Sequence, residues 1–307
     1  MGQDKSISIQ NRNDSNILNL ECDYFSKLEI TFKSQDFRNN LLKMEQWINL
    51  NYQNMLSWNK VNKVQLPCQR IINYVVMNNL KQIVGVYNSA ISSDIAFETN
   101  DAIINIDSKT VSSTGNKGDF NSLFFGPNQS SFKNKDLYAQ NLFPGLPVNF
   151  ELPSIDILTN KPILTFFLMI KYTDDGKSFN WYSNNEEPNI RLICIPNGEI
   201  SYLFHNDIIS NPKTYAYEKT FKNGKKVDRT YPLNHKFNNP IHIKVYTKNG
   251  VYLPNKKETW LETSVTGSGT LYKKAISTHS CRIEFSTLKD RYDSYQNSWT
   301  GVSNWKI

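Results

Sequence analysis

The chain has 307 residues, 39% hydrophobic and 13% aromatic, the composition of a folded globular protein and not of a disordered tail. Thirty-five Lys and Arg against 28 Asp and Glu leave a formal charge of +7, which points to an acidic partner, nucleic acid or an anionic surface first. The longest apolar run, Ile163 to Ile170 with Thr165 inside it, falls far short of the roughly 20 residues of a membrane helix.

The polar opening from Met1 to Asn16 lacks the apolar stretch of a signal peptide, and residues 1–34 are set apart as an N-terminal segment. Ser34 is a candidate N-cap for a helix from about Gln35 to Trp58, with Phe37, Leu41, Met44, Ile48 and Met55 on one face. Pro67 suits the first turn of a second helix, whose apolar stripe (Ile71, Ile72, Val75, Val76, Leu80) stops before Gly85. Cys22, Cys68, Cys194 and Cys281 show neither zinc nor disulfide spacing, so a reduced, cytoplasmic protein is expected.

Strand signals follow. Ser92 to Glu98 and Ala102 to Val111 alternate at period two. Ile163 to Tyr172 and Ile190 to Ile195 are continuous apolar runs, the mark of strands buried on both faces. The polar stretch from Gly115 to Pro162 carries one short predicted helix near Lys135 to Asn141. Beyond Asn211 come short strands separated by turns at Asn223-Gly224, Asn249-Gly250 and Gly267-Ser268-Gly269. The fold class is α/β (α+β), a central mixed sheet flanked by helices over residues 35–210 and a basic β-rich portion over 211–307.

The basic excess has one address. Lys213 to Lys274 holds thirteen Lys and Arg against four acids, a surplus of nine that leaves the rest of the chain slightly acidic. Six tyrosines are interleaved with them, a composition that can neutralise phosphates and reach base edges, or else form a plain solvated surface.

Asn100-Asp101 is suited to a two-residue hairpin turn. That turn pairs Thr99 with Ala102, Phe97 with Ile104, Ile95 with Ile106, and Asp94 with Asp107. The register checks itself, because Ile95, Phe97, Ile104 and Ile106 then share one face, which must face the core. Asp94, Asp107 and Lys109 share the other. Directly opposed residues have Cβ atoms about 4.5–5.5 Å apart, so two carboxylates lie together with an ammonium one step along. A hard divalent cation, Mg²⁺ above all, relieves such a pair and supports phosphodiester hydrolysis.

Asp94, followed at that spacing by Asp107-Ser108-Lys109, resembles the PD-(D/E)xK nuclease motif, with Ser93 where the motif has proline. The resemblance implies that both acids bind metal and that the lysine supports the nucleophile. The segments 106–110, 126–132 and 266–270 further resemble the blunt-cutting, EcoRV-like branch of type II restriction endonucleases. That branch implies DNA contacts from Asn128 and Gln129 and from the late loop and strand with Gly267, Ser268, Gly269, Thr270, Tyr272, Lys273 and Lys274. It also implies double-stranded DNA as substrate, a homodimer to cut both strands, and a companion DNA methyltransferase in the host.

The rival readings are another PD-(D/E)xK nuclease, in repair, junction resolution or transposition, and a non-catalytic DNA-binding protein. Asp175-Gly176-Lys177 is a decoy for the acid–lysine motif and reads as a surface turn. Glu45 reads as a solvated helix position, the resemblance implying a place near the metal as the alternative; Glu98 reads as peripheral, and His205, His235, His242 and His279 have no metal-ligand spacing.

Overall fold

The computed structural model describes residues 4–56, 64–87, 93–112, 122–125, 129–132, 152–181, 188–200, 203–204, 208–210, 214–222, 225–232, 260–266, 269–277, 281–294 and 299–307. The predicted helix near Lys135 and the four histidines lie outside them. The chain divides into two units, Met1–Ser210 with Arg282–Ile307, and Asn211–Cys281. Arg282–Ile307 thus return to the first unit, although the sequence grouped them with the basic portion.

The first unit opens with α1 (Asp4–Phe32), α2 (Gln35–Leu50), α3 (Tyr52–Leu56) and α4 (Gln65–Asn79). Ser34 caps α2 as expected, its Oγ accepting the Phe37 N–H at 3.2 Å. The predicted helix to Trp58 breaks at Asn51, whose own N–H closes the last turn on Trp47 and Ile48. The 29-residue α1 was not foreseen. Its buried stripe is thin (Leu18, Tyr24, Phe25, Leu28, Phe32) and shares the interior with Glu21, so the apolar period is diluted.

Strands β1 (Gly85–Tyr87), β2 (Ile95–Glu98), β3 (Ile103–Ser112), β4 (Ser122–Phe125), β5 (Ile163–Asp174), β6 (Phe179–Asn180), β7 (Ile190–Ile195) and β8 (Ile209–Ser210) follow. After the strands of the second unit, the chain returns as β13 (Cys281–Glu284), α5 (Phe285–Asp293) and β14 (Val302–Trp305). The main sheet runs β1-β2-β3-β5-β7-β14, with β6 beside the end of β5. Only the β3–β5 pair in it is parallel, so the sheet is mixed and helices flank it, as the sequence predicts.

Residues paired across a ladder share a face. Ile104, Ile106, Leu164, Phe166, Leu168 and Cys194 therefore occupy one face. There Cys194 meets Tyr292 of α5, whose hydroxyl also donates to Glu21 of α1. Ile103, Asn105, Asp107 and Lys109 occupy the other, with Thr165, Phe167 and Met169. Both faces are covered: every residue from Ile163 to Ile170 is buried, and Ile103 through Ser108 are buried as well. β3 is an interior strand, so its second face is no exposed polar surface.

The second unit contains β9 (Thr214–Lys222), β10 (Lys225–Pro232), β11 (Trp260–Thr266) and β12 (Gly269–Ser277). They form one antiparallel sheet in the order β10-β9-β12-β11. In the β9–β10 and β11–β12 hairpins Lys222 pairs with Lys225 and Thr266 with Gly269, while Asn223-Gly224, Asn249-Gly250 and Gly267-Ser268 of the three predicted turns lie outside the described residues. Among the described residues, no helix is long and apolar enough to cross a membrane.

Candidate active site

The hairpin forms in the predicted register: Ile95 pairs with Ile106, Phe97 with Ile104, and Thr99 N–H donates to Ala102 O at 2.9 Å. The turn is pinned from outside, because Tyr24 of α1 donates its hydroxyl to Thr99 Oγ1 at 2.8 Å and also meets Asp101. Hydrogen-bonded pairs alternate along an antiparallel ladder. From Thr99/Ala102 the alternation runs through 97/104 and 95/106, so the Ser108 N–H would next meet the carbonyl of residue 93.

A carboxylate takes that place instead. β2 begins only at Ile95, and Asp94 Oδ2 accepts both the Ser108 N–H at 2.7 Å and the Ser108 hydroxyl at 2.6 Å. Asp94 Oδ1 accepts Gln69 Nε2 of α4 at 2.5 Å. Ser93, standing where the motif has proline, donates its hydroxyl to the buried Asn105 Oδ1 at 2.9 Å and so ties down the approach to Asp94. Asp94 thus closes the end of the ladder, one step beyond its last regular pair, Ile95 with Ile106.

Asp107 sits mid-strand on β3 and is 3% exposed. Its Oδ1 pairs with the Lys109 ammonium at 2.7 Å, and its Oδ2 accepts Gln129 Nε2 at 2.7 Å. Burial pushes the Asp107 carboxyl up to about 6, a rise that Lys109 opposes and the charge of nearby Asp94 adds to. Lys109 shares the face of Phe167, its Nζ lying 5.5 Å from the ring centroid. The lysine side chain is 28% exposed, so a charged donor next to the buried acid reaches solvent.

The donor set fits a hard cation. Two carboxylates within electrostatic reach, one buried and held against ionisation by its surroundings, gain from added positive charge. Among the described residues no cluster of three or more His, Cys, Asp or Glu could hold a metal. A cation here would take two acids and fill its remaining positions with water or substrate oxygens, the habit of Mg²⁺.

The other sequence candidates have different partners. Glu45 Oε2 accepts the Trp181 N–H at 2.7 Å and supports the aromatic group of Trp181, Phe179 and Tyr172. Glu98 pairs with Lys161 at 2.5 Å. Asp175 Oδ1 accepts the Lys177 and Ser178 N–H groups around Gly176, at φ +83°, and is the surface turn expected. Gln129, expected at the DNA, donates to Asp107, a contact with no local sequence signal.

Asn128, Gly267 and Ser268 lie outside the described residues. Gly269 and Thr270 open β12, where Tyr272 pairs with Lys219 and Lys274 with Tyr217. Lys273 and Lys274 are consecutive in a strand, so their positions fall on opposite faces of the sheet.

The structure thus combines a mixed sheet, an acid and a lysine two residues apart on an interior strand, and a second acid at the open end of the adjoining hairpin. On residues 19–176 the chain matches the family described as type II restriction enzyme MwoI, N-terminal domain, and it belongs to that family. The matched stretch contains Asp94, Asp107 and Lys109. A solved structure of the restriction endonuclease BglI bound to its DNA recognition sequence is similar over 98% of this chain and 97% of its own. Identity to it is 13% and the TM-score 0.44, too loose a superposition to carry residues across. No curated protein matches the chain.

Proposed function

We propose that this type II restriction enzyme hydrolyses both strands of a specific DNA site with Mg²⁺ held by Asp94 and Asp107. The observation that supports it above all is the buried Asp107 carboxylate with a lysine ammonium on one oxygen and a second acid nearby. Bound there, Mg²⁺ would supply charge stabilisation at the phosphate and a more acidic water.

The chain's own groups do the rest. Asp94 is kept in place by three donors, Ser108 N–H, Ser108 Oγ and Gln69 Nε2, so it meets a cation with its orientation already set. Lys109 Nζ, exposed on one side, is within reach of a solvent water or a phosphate oxygen while staying beside Asp107. Its ammonium donates to whichever oxygen carries the developing negative charge.

The thirteen Lys and Arg of 213–274 supply the phosphate-binding surface, with the turn before β12 as the candidate for base contacts. That turn also supports assignment to the EcoRV-like branch. A homodimer supplies two sites for two strands, and a methyltransferase in the same host protects the recognition sequence. The test is digestion of a DNA of known sequence with Mg²⁺ and mapping of the ends. Discrete fragments with ends at one repeated sequence are expected. Structure-dependent nicking would move the protein to a repair or junction-resolving role, and no cleavage would leave a DNA-binding protein.

A further inference from the structure

Asp107 has two side-chain oxygens, and their partners differ in kind. Lys109 on Oδ1 is charged and partly exposed, whereas Gln129 on Oδ2 is a neutral amide. An amide can hold a carboxylate in one orientation without supplying a positive charge that would repel a cation.

Gln129 is itself firmly mounted. Two residues on, Ser131 Oγ donates to Ile163 O at 2.7 Å, and the Ser131 N–H reaches Thr165 Oγ1 at 3.3 Å. The Ser131 carbonyl accepts the Gly198 N–H at 2.9 Å, and Ser130 and Phe132 are buried. Thr165 is on β5, one pair along the same face from Phe167, the partner of Asp107. The segment that carries the amide is therefore bonded to the strand beside the one that carries the acid.

We propose that Gln129 is a positioning residue, whose side-chain amide fixes the Asp107 carboxylate for the cation. It rests on Asp107 taking the cation as proposed above. Gln129 acts through Asp107 and is not a reader of DNA.

The test titrates the full-length, DNA-free protein with Mn²⁺ by calorimetry, comparing wild type, Gln129→Met and Asp107→Ala. Methionine keeps the length of the side chain and removes the donor, and thermal melting verifies that each variant is folded. Loss of an outer-shell hydrogen bond typically costs about 10- to 100-fold in metal affinity. Gln129→Met is expected to weaken Mn²⁺ by on the order of 10-fold and to raise the Mg²⁺ half-saturation of cleavage in parallel. Its DNA affinity in EDTA should equal that of wild type. Mn²⁺ binding at wild-type strength by Gln129→Met but not by Asp107→Ala would overturn the positioning role and leave the proposed function standing. Wild-type binding by Asp107→Ala as well would remove the metal site, and this inference with it. Weakened DNA binding with unchanged Mn²⁺ affinity would make Gln129 a DNA contact and overturn the proposal.

Discussion

Asp94 Oδ2 accepts the backbone N–H of Ser108 at 2.7 Å, so an acidic side chain ends the β2–β3 ladder where a main-chain carbonyl would otherwise continue it. The structural bond needs only an oxygen, whereas a metal site needs the charge. Asp94→Asn should therefore keep the fold, since the amide oxygen can accept from Ser108 and Gln69 can reverse its own amide. Cleavage with Mg²⁺ should fall by about 10²-fold or more, a loss of the several kcal/mol that metal chemistry contributes. A circular dichroism melt paired with a plasmid nicking assay checks both halves.

Asp107 makes the metal-free fold sensitive to pH. Its carboxyl titrates near 6 in the folded protein against 3.8 ordinarily, so the folded state holds the proton more tightly. Stability from this group is fully present below about pH 4 and is lost as pH rises through about 6, by up to about 3 kcal/mol. Asp107→Asn in EDTA should accordingly melt higher than wild type at pH 8, with the gap closing toward pH 4. Added Mg²⁺ should raise the melting point of wild type and not of the variant.

Glu21 has the same sign over a wider window. It is buried between the Asn197 N–H at 2.7 Å and the Tyr292 hydroxyl at 3.2 Å, and burial pushes its carboxyl up to about 8 from 4.5. Its stabilisation is complete below about pH 4.5 and is lost as pH rises through about 8, by at most about 5 kcal/mol. Glu21→Gln preserves the acceptor for Asn197 and removes the titration. Urea unfolding from pH 5 to 9 should show a falling midpoint for wild type and a flatter one for the variant.

Gly301 stands at φ +65° with Tyr292 against it, and a Cβ there would fall inside the edge of that ring. The left-handed conformation and the overlap with a fully buried tyrosine add, so Gly301→Ala should lose about 3 kcal/mol. Thermal melting measures it. An unchanged melting point would mean that the α5–β14 connection is free to rearrange.

The hairpin register was legible because turn chemistry and alternation agree: Asn100-Asp101 sets the pairing, and four large apolar residues land on one face only in that register. Ser34 and the apolar runs of β5 and β7 were legible for similar local reasons. What covers the second face of β3 was not, because Gln129 and Ser131 are brought to Asp107 and Thr165 from 22 and 34 positions away. Nor was the departure of Asp94 from the ladder, since period-two reasoning assumes that the strand continues. Glu21, Asn197 and Tyr292 meet only through tertiary packing, and no spacing in the chain announces them.

In the proposed function Asp107 and Lys109 carry the chemistry while the basic segment 213–274 holds the DNA. The most direct measurement is Mg²⁺-dependent cleavage of a plasmid carrying the mapped site by Asp107→Ala and Lys109→Ala, beside their DNA affinity in EDTA. Both variants should cut slower by about 10²-fold or more while binding DNA as wild type does, with affinity that falls steeply with salt. Cleavage at the wild-type rate by either variant would rule out the proposed mechanism.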